Sequence, residues 1–302
     1  MTEIEAESDG DGASYPAWGD QVDLVRLIDV EPSTGNHFVG LAYPTTGRNV
    51  VEGGQMIAQA IVAASKTVPH QRVTSAHMIF SKAAMFDVPI DLDVEVLRSG
   101  RAFSTVAART SQGGQLRSSG LLLLASEQPD VIRGSVEMPD VAQPNDSPVL
   151  DMGVTGREMR AVDGAYMAGP DDVGPPEIHV WTRFRDAPSE QYLHAALLAQ
   201  STTHWTIAAA VRPHPGIGES AAHVTLSTGI MAATIAFHDD VDVSEWLLYA
   251  NTATHSGHGL AQGEGRVYTQ QGRLVASYSV QAMIRSFEQD PSRTGLDHTN
   301  AM

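Results

Sequence analysis

The sequence predicts an α+β protein made of two similar units, each with an antiparallel sheet wrapped around a helix. One helix-forming segment, near residues 54–65, is followed by four strand-like runs, and the same order recurs after a second helix. The first helix is apolar on nearly all of its faces, so it must be buried. A sheet curved around the helix buries it in this way. The repeat spacing, roughly 110 residues, indicates two fused units and not a solenoid, whose repeats are shorter.

Composition indicates a soluble globular protein with two domains or one large one. The chain has 302 residues, of which 42% are hydrophobic and 18% charged. A net charge of −17 argues against nucleic acid or an anionic membrane as a partner, since both need a basic surface. The absence of cysteine excludes disulfides, thiolate metal sites and a cysteine nucleophile.

No targeting or membrane-spanning segment is predicted. No apolar run approaches the ~20 residues of a transmembrane helix. The first residues are acidic and glycine-rich, without the basic and apolar regions of a secretion signal. We therefore expect a cytoplasmic location.

Shifts in composition suggest where the units begin and end. Proline, glycine, aspartate and methionine replace the alternating pattern between Glu127 and Pro176, which we interpret as a linker with a helix near Met159. We predict a disordered acidic tail over residues 1–17 and an N-terminal unit over 18–126. The linker over 127–176 is followed by a C-terminal unit over 177–287 and a flexible tail over 288–302.

Alternation of apolar and polar residues places the strands. A strand pair over 18–43 turns at Gly35-Asn36, and a helix over 54–65 follows it. Further strands of the first unit are predicted at 72–80, 90–98, 102–111 and 117–125. In the second unit we predict a strand at 178–184, one helix at about 189–211 and strands at 222–237, 245–254, 263–269 and 273–285.

The stretch that opens the first helix, Val51-Glu52-Gly53-Gly54-Gln55, has chemical potential. Backbone N–H groups at a helix N-terminus can polarise a carbonyl or hold a phosphate. The alternative is a glycine turn that leads into a core helix. Glu52 has two interpretations as well: its carboxylate can act as a base, or it can complement the helix dipole.

Several separate motifs, in order along the chain, resemble the type II acyl-CoA thioesterases. In the first half they are Gly53-Gly54-Gln55-x-x-Ala58-Gln59-Ala60, Ser75-x-His77-x-x-Phe80 and Val94-Glu95-Val96-Leu97-Arg98-x-Gly100-Arg101-x-Phe103. In the second half they are Leu193-His194-x-x-Leu197-Leu198-Ala199, Glu245-Trp246-Leu247-Leu248-Tyr249 and Tyr268-Thr269-x-x-Gly272. The resemblance implies a double hotdog fold, in which two helix-wrapped sheets are fused in one chain.

The resemblance also implies an activity: hydrolysis of acyl-CoA to a free acid and CoA. Family members orient and activate water with an Asp on the second helix, a Thr or Ser on the next strand and a Gln on the last strand. They need no metal or cofactor. A homo-oligomer is expected on the same basis, with acyl-CoA as the substrate or ligand.

Those three catalytic residues are replaced in this chain. Thr203 falls at the Asp position, Ile230 at the Thr position and Val280 at the Gln position, with Gln281 one step further. Since a one-residue offset turns a strand side chain to the opposite face, Gln281 can substitute only if a bulge shifts the register. The scaffold motifs are thus present while the catalytic ones are changed.

Two functions follow from this contrast. In the leading one the protein hydrolyses acyl-CoA with a rebuilt site, in which His204 is the base, Thr203 a hydroxyl partner and Gln281 the amide. In the alternative it binds acyl-CoA without hydrolysis or performs hydratase-type chemistry. The candidate substrate-binding residues are Gly53, Gly54, Gln55, His77, Arg98 and Arg101. A metal site formed by His255-x-x-His258 with His238-Asp239-Asp240 is disfavoured, because the carboxylates have no fixed spacing.

Overall fold

The computed structural model describes residues 21–42, 50–86, 88–150, 157–167, 169–185, 188–218, 221–222 and 225–286. The predicted tails over 1–17 and 288–302 lie outside the described residues. In the first half the helices and strands are α1 (Gln21–Ile28), β1 (Glu31–Thr34), β2 (His37–Gly40), β3 (Val50–Val51), α2 (Gly53–Thr67), β4 (Arg72–Phe80), β5 (Ala84–Met85), β6 (Ile90–Arg98), β7 (Phe103–Gln112) and β8 (Gln115–Ala125).

The second half adds β9 (Arg157–Ala161), β10 (Glu177–Phe184), α3 (Gln191–Ser201), α4 (Thr206–Val211), β11 (Leu226–Phe237), β12 (Leu247–Gly257), β13 (Leu260–Thr269) and β14 (Leu274–Ser286). The helix predicted near Met159 is wrong, because that residue lies on β9, which pairs with β10. The single helix predicted over 189–211 is in fact two helices, with a break at Thr202–Trp205.

The strand pair predicted over 18–43 is only half correct. A hairpin of β1 and β2 turns at Gly35, whose positive φ of 59° suits glycine. The segment before it forms α1, because Leu24, Leu27 and Ile28 recur at helical spacing and are buried in the main core. Gln21–Ile28 therefore covers one side of α2 as a helix.

In the described ranges, one sheet of twelve antiparallel strands runs through both halves. Its strand order is β1-β2-β6-β7-β8-β4-β11-β14-β13-β12-β10-β9. The halves meet where β4 pairs with β11, with His77 opposite Thr234. Among the described residues each half contributes six strands to a common sheet, and the architecture is the α+β double hotdog that the sequence predicted.

Helices α2 and α3 pack against each other inside this sheet. Nearly every residue of α2 is buried, including the central Ile57 and Ile61. The helices come closest at Gly54, where an added methyl group would overlap the backbone oxygen of Gln200. Only glycine permits this approach, which aligns the start of α2 with the end of α3.

The segment predicted as a linker has a structural role in the second half. It crosses the outer face of the C-terminal sheet, where the indole of Trp181 donates to the carbonyl of Ala142 at 2.9 Å and the hydroxyl of Tyr268 donates to that of Glu137 at 3.1 Å. Trp181, Tyr268 and Trp246 form a second small core with the side chains of this segment. Part of the outer face of the C-terminal half, around Trp181 and Tyr268, is therefore covered by the chain itself.

Candidate functional site

A cavity of about 310 Å³ lies between the two halves. The N-terminal half contributes residues from the start of α2 and the end of β4, and the C-terminal half contributes the α3–α4 break and the start of β11. Its apolar wall is formed by Val50, Val51, Met56, Phe80, Ile207, Ile230, Met231 and Met283. Its polar lining includes Glu52, Ser81, Lys82, Tyr166, Thr203, His204 and Thr228. Lys82 and Met231 are also exposed, so the cavity reaches solvent near them.

The break between α3 and α4 presents Thr203 and His204 to this cavity. Trp205, the last residue of the break, is fully buried and packs edge-on against Tyr166, with ring centroids 5.8 Å apart. The ring of His204 stands against the same indole at 5.7 Å. Burial of Trp205 in the core therefore fixes the turn that carries His204, whose side chain is only 6% exposed.

Arg157, on β9, contacts both Ser201 and His204. Its guanidinium donates to Ser201 Oγ at 2.7 Å and lies 3.2 Å from His204 Nε2. Because a guanidinium can only donate, Nε2 accepts, and the ring proton of the neutral imidazole is on Nδ1. Burial lowers the pKa of Arg157, and the negative charge of Glu52 opposes this shift. The sequence had suggested no role for this arginine.

Glu52 lies near the same nitrogen of His204, at the point where the start of α2 meets the α3–α4 break, which we call the corner of the cavity. It is the N-cap residue of α2, yet its side chain makes no capping hydrogen bond. Instead its carboxylate accepts a hydrogen bond from Gln200 Nε2 at 3.2 Å and lies 4.0 Å from His204 Nε2. The carboxylate is 13% exposed. The close approach of Gly54 to α3 thus brings a carboxylate from one half beside an imidazole from the other.

The first turn of α2 adds backbone donors at this corner. The N–H groups of Gln55 and Met56 bond to the carbonyl of Glu52, so those of Gly53 and Gly54 precede the first helical hydrogen bonds. Gly53 also lines the cavity. An oxygen atom bound there would meet the positive end of the helix dipole. The corner can therefore polarise a carbonyl next to a carboxylate and an imidazole.

The structure brings together only some of the residues that the sequence suggested. Gly53, Thr203 and His204 line the cavity, and Gly54 lies directly behind it against Thr203. Gln55 is buried elsewhere, where its side-chain amide donates to the carbonyl of Leu41 at 2.9 Å. We infer a structural role for Gln55, since it holds the chain that follows β2.

Four other candidates lie away from the cavity. Gln281 is exposed between the buried Val280 and Ala282, so it points to the outer face of β14. His77 is exposed on the outer face as well and bonds to Thr234 Oγ1 at 2.6 Å. Arg98 is the last residue of β6, and its guanidinium carbon lies 5.2 Å from the centre of the Phe103 ring. Arg101 is exposed in the turn between β6 and β7.

The described part of the chain holds neither a cluster of metal-ligating side chains nor a membrane-length helix. No group of three or more His, Asp or Glu residues stands close enough there to hold a metal ion. His238, part of the disfavoured metal hypothesis, bonds to Ser277 Oγ at 2.9 Å. None of the helices in the described ranges is long and apolar enough to cross a membrane.

Both halves of the chain are similar to known proteins. The family model of the acyl-CoA thioesterase N-terminal domain matches residues 42–126, and that of the C-terminal domain matches residues 135–284. Acyl-CoA thioesterase 2 of Haemophilus influenzae is 27% identical over 88% of this chain and 98% of its own length. Human acyl-coenzyme A thioesterase 8 is 23% identical, over 94% and 97%. The crystal structure of an acyl-CoA thioesterase II from Mycobacterium marinum superposes with a TM-score of 0.74 at 25% identity, over 88% and 99%.

Proposed function

We propose, from the premise that the chain belongs to the type II acyl-CoA thioesterase family, that it hydrolyses acyl-CoA to a free acid and CoA. One observation carries the proposal: an apolar cavity between the halves ends at a corner where the start of α2 meets Glu52 and His204. A thioester needs an apolar space for its acyl chain, donors for its carbonyl oxygen and a base for water. This corner supplies all three.

Each part of the substrate has a matching part of the cavity. We expect the acyl chain to lie along the apolar wall near Met56 and Phe80. The carbonyl oxygen then meets the N–H groups of Gly53 and Gly54, where negative charge develops in the transition state. CoA extends past the mouth, where Lys82 is the cation that faces its phosphates. Lys82 takes the place of Arg98 and Arg101, which lie elsewhere.

Two lining residues can take a proton from water. His204 is the predicted base, and Thr203 lies beside it with its hydroxyl 3.5 Å from the carbonyl of Gln200. Glu52 is the other. A base positioned for water typically contributes ~10²-fold to ~10⁴-fold in rate. Glu52 and His204 are therefore the two candidates for the role that the resemblance gives to an aspartate.

Thiol release from acyl-CoAs of different chain length tests the proposal. A cavity of about 310 Å³ is near the lower end of the range for ligand pockets, roughly 300–1,000 Å³. We therefore expect turnover of every substrate that fits, with kcat/KM highest for short and medium chains and lower for palmitoyl-CoA. A colorimetric thiol assay with a series from butyryl-CoA to palmitoyl-CoA measures this.

The same assay separates hydrolysis from binding alone. Saturable binding of acyl-CoA without thiol release from any substrate would contradict hydrolysis and favour the non-hydrolytic alternative. A preference for palmitoyl-CoA would contradict the chain-length expectation alone. We also propose that the protein acts in lipid metabolism and that it is located in the cytoplasm. Cell fractionation tests the location.

We also propose that the protein forms a homo-oligomer through the outer face of its N-terminal half. There Ile79 and Leu121 are 50% and 53% exposed, and Leu123 lies beside them. On the C-terminal half, apolar side chains on the outer face of β10, β12 and β13 are instead covered by the chain's own segment around Met138 and Ala142. An apolar face that one half covers and the other leaves open is suited to a second copy of the chain.

Light scattering coupled to size-exclusion chromatography tests the oligomer. We expect a dimer or larger species at micromolar concentration, because burial of Ile79, Leu121 and Leu123 favours association. Leu121→Glu should shift the protein to smaller species, since it places a charge at the centre of the face. Val131→Glu is the matched control, because Val131 is 97% exposed outside this face. A monomer in the unchanged protein would refute the proposal.

A further inference from the structure

We infer that Glu52 removes the proton from the attacking water and that His204 is a positioning residue. The inference rests on the proposed hydrolysis and names the groups that perform it. It differs from the sequence-based hypothesis, in which His204 is the base. The two side chains stand 4.0 Å apart, so their hydrogen bonds decide between them.

The hydrogen bonds of His204 argue against its use as the base. Its Nε2 accepts from the Arg157 guanidinium at 3.2 Å, which occupies the lone pair that would take a proton. A proton on Nε2 would break this bond and place an imidazolium against a buried guanidinium. A tautomer with the proton on Nε2 has the same conflict. The Arg157 contact therefore makes Nε2 of His204 a poor proton acceptor.

The surroundings of Glu52 favour the negatively charged carboxylate, which is the form that can accept a proton from water. Its carboxylate stands at the N-terminal end of α2, where the helix dipole stabilises negative charge. The positive charge of Arg157 acts on it, and Gln200 holds one of its oxygens at 3.2 Å. A carboxylate has room for several further donors, so this bond does not exclude water. Among the described residues that line the cavity, Glu52 is also the one carboxylate.

The position of Glu52 in the chain supplies the geometry. It directly precedes Gly53, whose backbone lines the cavity and belongs to the predicted carbonyl site. A carbonyl oxygen bound at the start of α2 therefore brings the thioester carbon next to this carboxylate. Water between the two is in line for attack.

The reaction balances with water as the only co-reactant. Glu52 takes one proton from water while the oxygen of that water forms a bond to the thioester carbon. The π electrons of the carbonyl group move to the oxygen held by α2. The tetrahedral intermediate re-forms the carbonyl and breaks the C–S bond, whose electron pair leaves on sulfur. The thiolate then recovers the proton from Glu52. The products are the carboxylic acid and CoA.

Other ionisable groups at the cavity have different positions. Lys82 is at the exposed mouth, where its ammonium donates to Gln115 at 3.2 Å. Tyr166 packs against Trp205. Arg157 is behind His204 and cannot accept a proton. Glu52 and His204 remain the two groups to compare.

Two amide variants separate them. Glu52→Gln keeps the shape and an acceptor oxygen for Gln200 but cannot take a proton. We expect kcat to fall ~10²-fold to ~10⁴-fold with KM changed less than about threefold. His204→Gln keeps an acceptor for Arg157, so we expect kcat to fall less than about tenfold. Glu95→Gln is the matched control, because Glu95 pairs with Arg109 on the outside of β6; its activity should equal that of the unchanged protein.

Binding of a non-hydrolysable acyl-CoA thioether shows whether each variant retains its cavity. Glu52→Gln that binds the thioether normally and has lost turnover supports the inference. Turnover within tenfold of the unchanged protein in Glu52→Gln overturns it, as does a loss in His204→Gln equal to that in Glu52→Gln. If Glu52→Gln does not bind the thioether, Glu52→Asp decides: partial turnover supports the inference and none overturns it. An unchanged protein without thiol release fails the proposed function itself, which is a separate result.

Discussion

Replacing Gly54 by alanine is expected to lower the free energy of unfolding by about 3 kcal/mol and to abolish most of the activity. The added methyl group would overlap the carbonyl oxygen of Gln200 and approach Thr203 Oγ1 to 2.8 Å. Both contacts are at the closest point of α2 and α3, so the helices must separate. Separation also moves Glu52 away from Gln200 and His204.

Chemical denaturation and thiol release together check this expectation. Gly134→Ala is the matched control, because a methyl group there meets no atom within 4 Å. It should leave both the unfolding free energy and the activity unchanged. If Gly54→Ala is as stable and as active as the unchanged protein, the close helix contact is not what assembles the site.

Replacing Arg157 by methionine is expected to lower kcat by about tenfold to hundredfold, because a shift of ~1 Å beside the reacting groups can cost ~10²-fold. The variant loses the donors that Arg157 gives to His204 and Ser201. The free energy of unfolding should fall as well, because Ser201 and His204 lose a buried donor and the Glu52 carboxylate loses the positive charge that acts on it.

Arg157→Lys is the companion variant. It keeps the positive charge but cannot make two bonds in the fork geometry of a guanidinium, so its kcat should fall as well. Steady-state kinetics and thermal unfolding of both variants provide the measurement. Full activity in Arg157→Met would show that the orientation of His204 does not depend on this arginine.

Local patterns in the sequence were enough to predict the two repeated units and the buried helix. The apolar run of α2 from Met56 onward and the glycine step before it depend on neighbouring residues alone. The hairpin turn at Gly35 is local in the same sense. The helix break at Thr202–Trp205 was missed, because helix-forming alanines continue after it and Trp205 is held by contacts from distant segments.

The site itself depended on contacts between the halves. Arg157 escaped notice because its short strand opens with two charged residues, Arg157 and Glu158, and only Met159 and Ala161 alternate with a polar residue. The bulge needed for Gln281 does occur, but on the partner strand β11 near Met231, and it leaves Gln281 on the outer face. His77 was assigned to the correct strand, while alternation alone did not tell which face the cavity would occupy.

The most direct test of a thioesterase site between the halves is a crystal structure of the Glu52→Gln variant with intact acyl-CoA. We predict that the acyl chain lies in the cavity beside Met56, that the thioester oxygen is within hydrogen-bond distance of the Gly53 or Gly54 N–H, and that CoA leaves past Lys82. An acyl-CoA bound anywhere else, or a thioester carbonyl turned away from the start of α2, would contradict this prediction.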